Sequence, residues 1–147
     1  MGTLEMIFED IVISDTEKIL SWMSFNEKNI KRSHFFMHGA DKEYSDISSL
    51  SEYFKNAGTC NILVENLNIG IILREALIVI SFDEKYGDLT LTFSEDLWEE
   101  CGELDDEKLS LVSERLYFLS NTINYSKILF GYEPADEEEL QLLVLQN

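Results

Sequence analysis

The spacing of hydrophobic and polar positions changes several times along this chain, and each change predicts an element. Leu4 to Ile13 is rich in Ile, Val and Phe and reads as a strand. Ser14-Asp15-Thr16-Glu17 is a capping-box pattern, in which the Ser oxygen accepts from an early N–H while the Glu reaches back. It opens a predicted helix through Ile19, Leu20, Trp22 and Met23. Asn26 to Asp46 is polar, keeps no period and reads as irregular chain. A second box, Ser49-Leu50-Ser51-Glu52, opens a short helix on which Leu50, Tyr53, Phe54 and Ala57 share a face. Gly58 is placed to end that helix in a left-handed conformation.

The second half is more regular. Cys60 to Val64 is a short apolar strand. Ala76 to Phe82 is a β-branched run, Asp83 to Asp88 has turn chemistry, and Leu89-Thr90-Leu91-Thr92-Phe93 alternates apolar and polar. Together they predict an antiparallel hairpin with one wet face. Leu109, Val112, Leu116, Leu119 and Ile123 step by three and four, which predicts an amphipathic helix over roughly Asp106 to Thr122. Lys127 to Tyr132 reads as a strand, Glu133-Pro134 breaks it, and Asp136 caps a last short helix into Leu140 and Leu143. The order is strand, helix, helix, strands, helix, strand, helix. It predicts an α+β fold: a single domain over residues 1–147, mainly antiparallel sheet with helices packed against it.

Composition supports a packed core. The 147 residues are 45% hydrophobic and 12% aromatic, unlike an acidic disordered tail. A domain of this length buries roughly 68–70% of its unfolded surface. One proline and seven glycines leave no room for a flexible linker. The start, Met1-Gly2-Thr3-Leu4-Glu5-Met6, has neither the regions of a signal peptide nor the Ser or Thr that N-myristoylation wants at the sixth position. The longest apolar stretch, Ile69 to Phe82, is interrupted by Gly70, Arg74, Glu75 and Ser81 and is too short to span a bilayer. A cytoplasmic protein with two reduced thiols, Cys60 and Cys101, is the expectation.

Charge sharpens the picture. Formal net charge is −18, and residues 84–147 carry −12 of it. Two runs, Ser94 to Glu107 and Glu133 to Glu139, hold 13 of the 29 acids. A field of this size attracts cationic partners and repels nucleic acid and anionic membranes. The basic cluster Lys28, Lys31, Arg32 and Lys42 does not offset it: a sequence pI near 4.2 is far from the value above about 9 of nucleic-acid-binding domains.

No residue pattern supplies a reaction. His34 and His38 are four apart, but Phe35 stands where the zinc-protease motif needs Glu, and Lys31, Arg32 and Lys42 oppose a cation. Cys101 lies among Glu99, Glu100 and Glu103, and Cys60 sits in an apolar strand, so neither is set up as a nucleophile. Gly-x-Ser-x-Gly, phosphate-loop, dinucleotide and calcium-loop motifs are absent from the sequence. No catalytic residue, metal site or cofactor is therefore expected. What remains is the acidity itself. Part of it favours helix starts near Ser94, Asp105 and Asp136. Aromatic residues ringed by acids also fit a surface that grips a basic protein. The candidate partner-binding residues are Glu95, Asp96, Trp98, Glu99, Glu100 and Glu103, with Tyr132, Glu133, Asp136 and Glu137 as a second patch.

The segment Phe130-Gly131-Tyr132-Glu133-Pro134-Ala135-Asp136-Glu137-Glu138-Glu139-Leu140-Gln141 resembles the tail of several small immunity proteins of bacterial polymorphic toxin systems, including contact-dependent growth inhibition. Size and acidity agree with that resemblance. It implies a cytosolic, non-enzymatic inhibitor that binds one cognate toxin domain, and many such toxins are nucleases with basic clefts. Electrostatic steering would carry association toward about 10⁸–10⁹ M⁻¹s⁻¹ at low salt. Two other readings stay open: a phage or plasmid mimic of nucleic acid that blocks a DNA- or RNA-binding enzyme, and an enzyme of unfamiliar type with a deep polar pocket.

Overall fold

The computed structural model describes residues 2–37, 39–102 and 104–147. Its elements are β1 (Thr3–Val12), α1 (Ile13–Trp22), β2 (Ile30–Met37), β3 (Ala40–Lys42), α2 (Leu50–Tyr53), β4 (Gly58–Asn68), β5 (Ile72–Phe82), β6 (Tyr86–Ser94), α3 (Glu95–Glu100), α4 (Asp105–Ser120), β7 (Lys127–Tyr132) and β8 (Gln141–Gln146). All eight strands form one sheet in the order β3-β2-β4-β5-β6-β1-β7-β8, and every neighbouring pair is antiparallel. The α+β architecture expected from the sequence is the one observed.

The sheet has a covered face and an open one, because successive side chains on a strand point to opposite sides. Leu4, Met6 and Phe8 of β1 are fully buried, as are Ile78 and Ile80 of β5, Leu89 and Leu91 of β6, and Ile128 and Phe130 of β7. They join one cluster with Ile19 and Leu20 of α1, Trp98 of α3, and Val112, Leu116 and Leu119 of α4. Each such side chain contributes about 1.5–3 kcal/mol of transfer free energy. The opposite face shows half-buried Leu77, Val79, Thr90 and Thr92. The expected antiparallel hairpin forms between β5 and β6, with Leu77 opposite Thr92 and Ile80 opposite Leu89.

Several expectations are corrected. The segment from Asn26 to Asp46 is not irregular: β2 and β3 fill much of it as one edge of the sheet. β3 pairs with β2 only from Phe35 to Met37, so the first half of β2 is an edge with one side of its backbone in water, and it accepts charged residues. Here Ser33 and Phe35 lie opposite Ile62 and Cys60, while Lys31 reaches Glu75 at 2.6 Å. The capping box at Ser14 does not form. The α1 N-cap is Val12, without a side-chain cap, and the Asp15 carboxylate accepts from the distant Asn124 N–H at 2.8 Å. Only half of the Ser49 box forms, with Ser49 Oγ accepting from the Glu52 N–H at 3.1 Å. Gly58 does not close α2 in a left-handed turn but begins β4, which runs well past Val64 to Asn68. The last short helix is a single 3-10 turn, Glu138–Leu140, followed by strand β8. The Leu-rich sequence of β8 needs only one hydrogen-bonded neighbour, β7, to bury Leu145.

Candidate functional site

Strand β1 brings the two acidic runs together. On one side Thr3 is opposite Ser94, where β6 ends and the first run begins. On the other side Leu4 is opposite Tyr132, where β7 ends and the second run begins. At a strand spacing of about 4.8 Å, the two departures lie on the order of 10 Å apart.

The first run folds into α3 and the start of α4. Ser94 Oγ accepts from the Asp96 N–H at 3.1 Å, and the first-turn acids Glu95 and Asp96 meet the positive end of the helix. Leu97 and Trp98 turn inward, while Glu99 and Glu100 are exposed. Trp98 therefore corrects the sequence reading. Its ring is 1% exposed and lies 5.5 Å from Phe130, so it is core and not a surface anchor. Lys108 closes the elbow between α3 and α4. It is 1% exposed, its Nζ donates to the Trp98 carbonyl at 2.8 Å, stands 4.6 Å over the Trp98 ring and reaches Asp105 at 3.1 Å. Arg74 holds Glu100 with two hydrogen bonds of 3.0 and 2.8 Å, which keep that carboxyl below its usual range. Glu95 Oε1 accepts from the Gly2 N–H at 3.0 Å. Glu103 lies outside the described residues.

Tyr132 joins this cluster. Burial raises its phenol, and the charges of Glu95, Asp105 and Glu99 raise it further. The second run crosses to β1 by backbone contacts. The Glu133 N–H donates to the Thr3 carbonyl at 2.8 Å, and the Ala135 N–H donates to Glu5 Oε1 at 2.9 Å. Glu5 is only 9% exposed, so its carboxylate is a built anchor for the loop. Gly131 permits the return of the chain: a Cβ there would lie 2.2 Å from the Leu140 carbonyl oxygen. Glu133, Asp136 and Glu137 all remain exposed. The negative field of Asp136 extends to Glu9, whose carboxyl is raised first by burial and then by Asp88, Asp10 and Asp136 against Lys127.

Elsewhere, His34 lies on β2 with Nε2 3.0 Å from Asp41 Oδ1 and its ring stacked on Phe36 at 4.1 Å. His38 lies outside the described residues. Among the described residues no three His, Cys, Asp or Glu side chains are gathered to hold a metal ion. Burial pushes the Cys60 thiol up to about 12, which leaves it a poor nucleophile. Cys101 Sγ lies 3.4 Å from the Leu97 carbonyl oxygen. No described helix is long and apolar enough to cross a membrane.

The family model described as PABL017 Cdi1I immunity protein matches residues 2–147. The chain belongs to the PABL017 Cdi1I immunity protein family. Its fold is also similar to that of a chain in the crystal structure of the toxic C-terminal tip of CdiA from Pseudomonas aeruginosa in complex with immune protein. That likeness has a TM-score of 0.72 at 18% identity and covers 97% of this chain and 94% of that one. No curated protein matches. The resemblance read from the C-terminal segment thus holds for the whole chain: this is an immunity protein of a contact-dependent inhibition system. Two residues that shape its acidic surface were missed in the sequence, Lys108 and Glu5. Lys108 had a visible signal, since it continues the buried helical line Lys108, Val112, Leu116, Leu119 and lies three residues after Asp105. Glu5 had none, because its partner is 130 residues away.

Proposed function

We propose that this immunity protein neutralises a cognate toxin by binding it stoichiometrically in the cytoplasm, without catalysis, and that the toxin is a basic, nuclease-type domain. The observation that carries the reading is the convergence of both acidic runs on the two sides of β1, with Tyr132 set among Glu95, Glu99 and Asp105. Glu95, Asp96, Glu99 and Glu100, together with Tyr132, Glu133, Asp136 and Glu137, form the steering surface. Nothing on it is arranged as nucleophile and base. A carboxylate-rich surface occupies a cationic cleft in place of phosphate, and steering of this kind acts mainly on the association rate. The CdiA toxin tip crystallised with its immune protein, whose structure holds a chain of this fold, supports a toxin as partner.

The test is co-expression with the toxin encoded beside the gene, followed by reversal of Glu95, Asp96, Glu133 and Glu137 to Lys. Association should slow by about tenfold or more at low salt, with a weaker salt dependence. Full protection and an unchanged association rate would remove these residues from the binding surface.

A further inference from the structure

We propose that the outward face of α4 is the ridge on which the toxin docks, with Leu111 and Phe118 as apolar anchors and Glu107 and Glu114 as the acids that select a cationic partner. The inference rests on the immunity reading above and deepens it by naming the contact. Helix α4 has two stripes. Lys108, Val112, Leu116 and Leu119 face the core. Glu107, Leu111, Glu114 and Phe118 step by four, three and four on the outside, and all four are exposed. Phe118 is 77% exposed, Tyr117 beside it 62%, Leu111 42%, and Leu104 at the helix start 72%. Four of the nine exposed large hydrophobic residues among those described thus lie on this one element or its cap. Scattered apolar residues on a surface need no explanation, whereas a contiguous stripe rimmed by polar groups marks an interaction site.

The ridge is rigid, which lowers the entropic cost of docking. Gly70, at φ +115°, lies so close beneath α4 that a Cβ there would stand 2.7 Å from the Leu111 carbonyl oxygen. Arg115 donates to the carbonyls of Trp22 and Asn68, and Trp22 Nε1 donates back to the Arg115 carbonyl at 3.0 Å. Charge decides the occupant. Among the described residues, the carboxylates of Glu107 and Glu114 make no ion pair within the chain. A second copy, itself at net −18, would bring like charge against them. A basic protein would instead set Arg or Lys between the acids and over the rings of Tyr117 and Phe118.

The experiment measures binding of the purified full chain to the purified cognate toxin domain by biolayer interferometry, with sedimentation and thermal melting of every variant. Leu111→Ala/Phe118→Ala should bind about a hundredfold more weakly, mostly through faster dissociation. Glu107→Lys/Glu114→Lys should associate about tenfold more slowly. Phe36→Ala, an exposed aromatic on β2 and off the ridge, should bind as wild type. Melting should fall only slightly, most for Glu107→Lys/Glu114→Lys because Glu107 lies in the first turn of α4, so each variant is compared at a temperature where it is folded. Tight wild-type binding with the ridge variants within twofold of it would overturn the ridge and leave the immunity reading intact. A wild-type chain that neither binds nor protects would overturn the reading itself. A ridge variant that only converts a dimer to a monomer would reassign the stripe to self-association and overturn the proposal.

Discussion

Residues 94–107 and 133–139 are alike in acidity and differ in what holds them down. The first run is wired to cations from within: Lys108 lies buried under Trp98 and reaches Asp105, and Arg74 grips Glu100. Its acids also occupy the first turns of α3 and α4, where the helix dipole favours them. The second run has no ion pair among the described residues and is tied down by backbone N–H groups, one of them donating to the buried Glu5. Part of the first run's charge is therefore internal structure, while the charge of the second is presented wholly to solvent. A charge reversal in the first run changes both the fold and the field. In the second run it changes mainly the field.

The largest separation between the two should come from Lys108. Replacing it with Ala removes a packed stem and leaves the Trp98 carbonyl only the longer 3.4 Å hydrogen bond from the Cys101 N–H. The expected loss is about 3 kcal/mol. For a chain of this length that corresponds to a melting temperature lower by roughly 6–12 °C. Lys108→Met keeps the stem and should lose only about 1–2 kcal/mol, since a packed apolar replacement offsets much of a buried charge. Calorimetric melts of both variants check this. Equal losses would assign the whole effect to the ammonium and remove the packed stem from the account of the elbow.

The corresponding lesion in the second run should be smaller and local. Glu5→Ala removes the acceptor of the Ala135 N–H and should lose about 1–2 kcal/mol. Hydrogen exchange should show the Ala135 amide opening while the amides of α3 and α4 keep their protection. Glu5→Gln retains an acceptor oxygen and should restore most of that protection. Opening that spread to α3 would show that the two runs are one cooperative unit.

How much of this was legible in the sequence depends on the range of the contact. The β5–β6 hairpin and the core stripe of α4 follow from periods of two and about 3.6 that persist long enough to read, and both were found where expected. Strands β2 and β3 were misread because this margin of the sheet carries mixed polarity and β2 is set by pairing with β4, and β8 because a short Leu-rich segment, Gln141–Gln146, suits a helix as well as a strand. Ser14 and Asp15 had the local signature of a cap, but β1 continues past a bulge between Phe8 and Ile11 to Val12, and Asp15 is captured by Asn124 instead. Trp98 was expected among surface acids because α3, at six residues, is too short to show which face is apolar. The acidic residues themselves needed only counting. Their convergence around β1 needed the strand order, which no local pattern encodes.

The finest distinction is in the sign of the pH response. Arg74 holds Glu100 below its usual range, so that pair adds stability above the ordinary carboxylate pKa and loses it as pH falls through the lowered one. Glu9, opposite Lys127 on β1, is raised first by burial and then by Asp88, with Asp136 of the second run the smallest contributor and Lys127 opposing. Its protonated form is the favoured one in the fold, so stability is lost as pH rises through the raised value. Arg74→Gln should therefore melt slightly lower than wild type at pH 7, and Glu9→Gln slightly higher. The Glu9 difference should shrink to nothing as pH falls below the ordinary carboxylate range, and the Arg74 difference only as pH falls through the lowered value of Glu100. Melting curves from pH 7 down to pH 3 test the pair together. Shifts of the same sign at pH 7 would mean that Lys127 compensates the burial and the acids around Glu9, and the opposite signs drawn for the two carboxyls would fail.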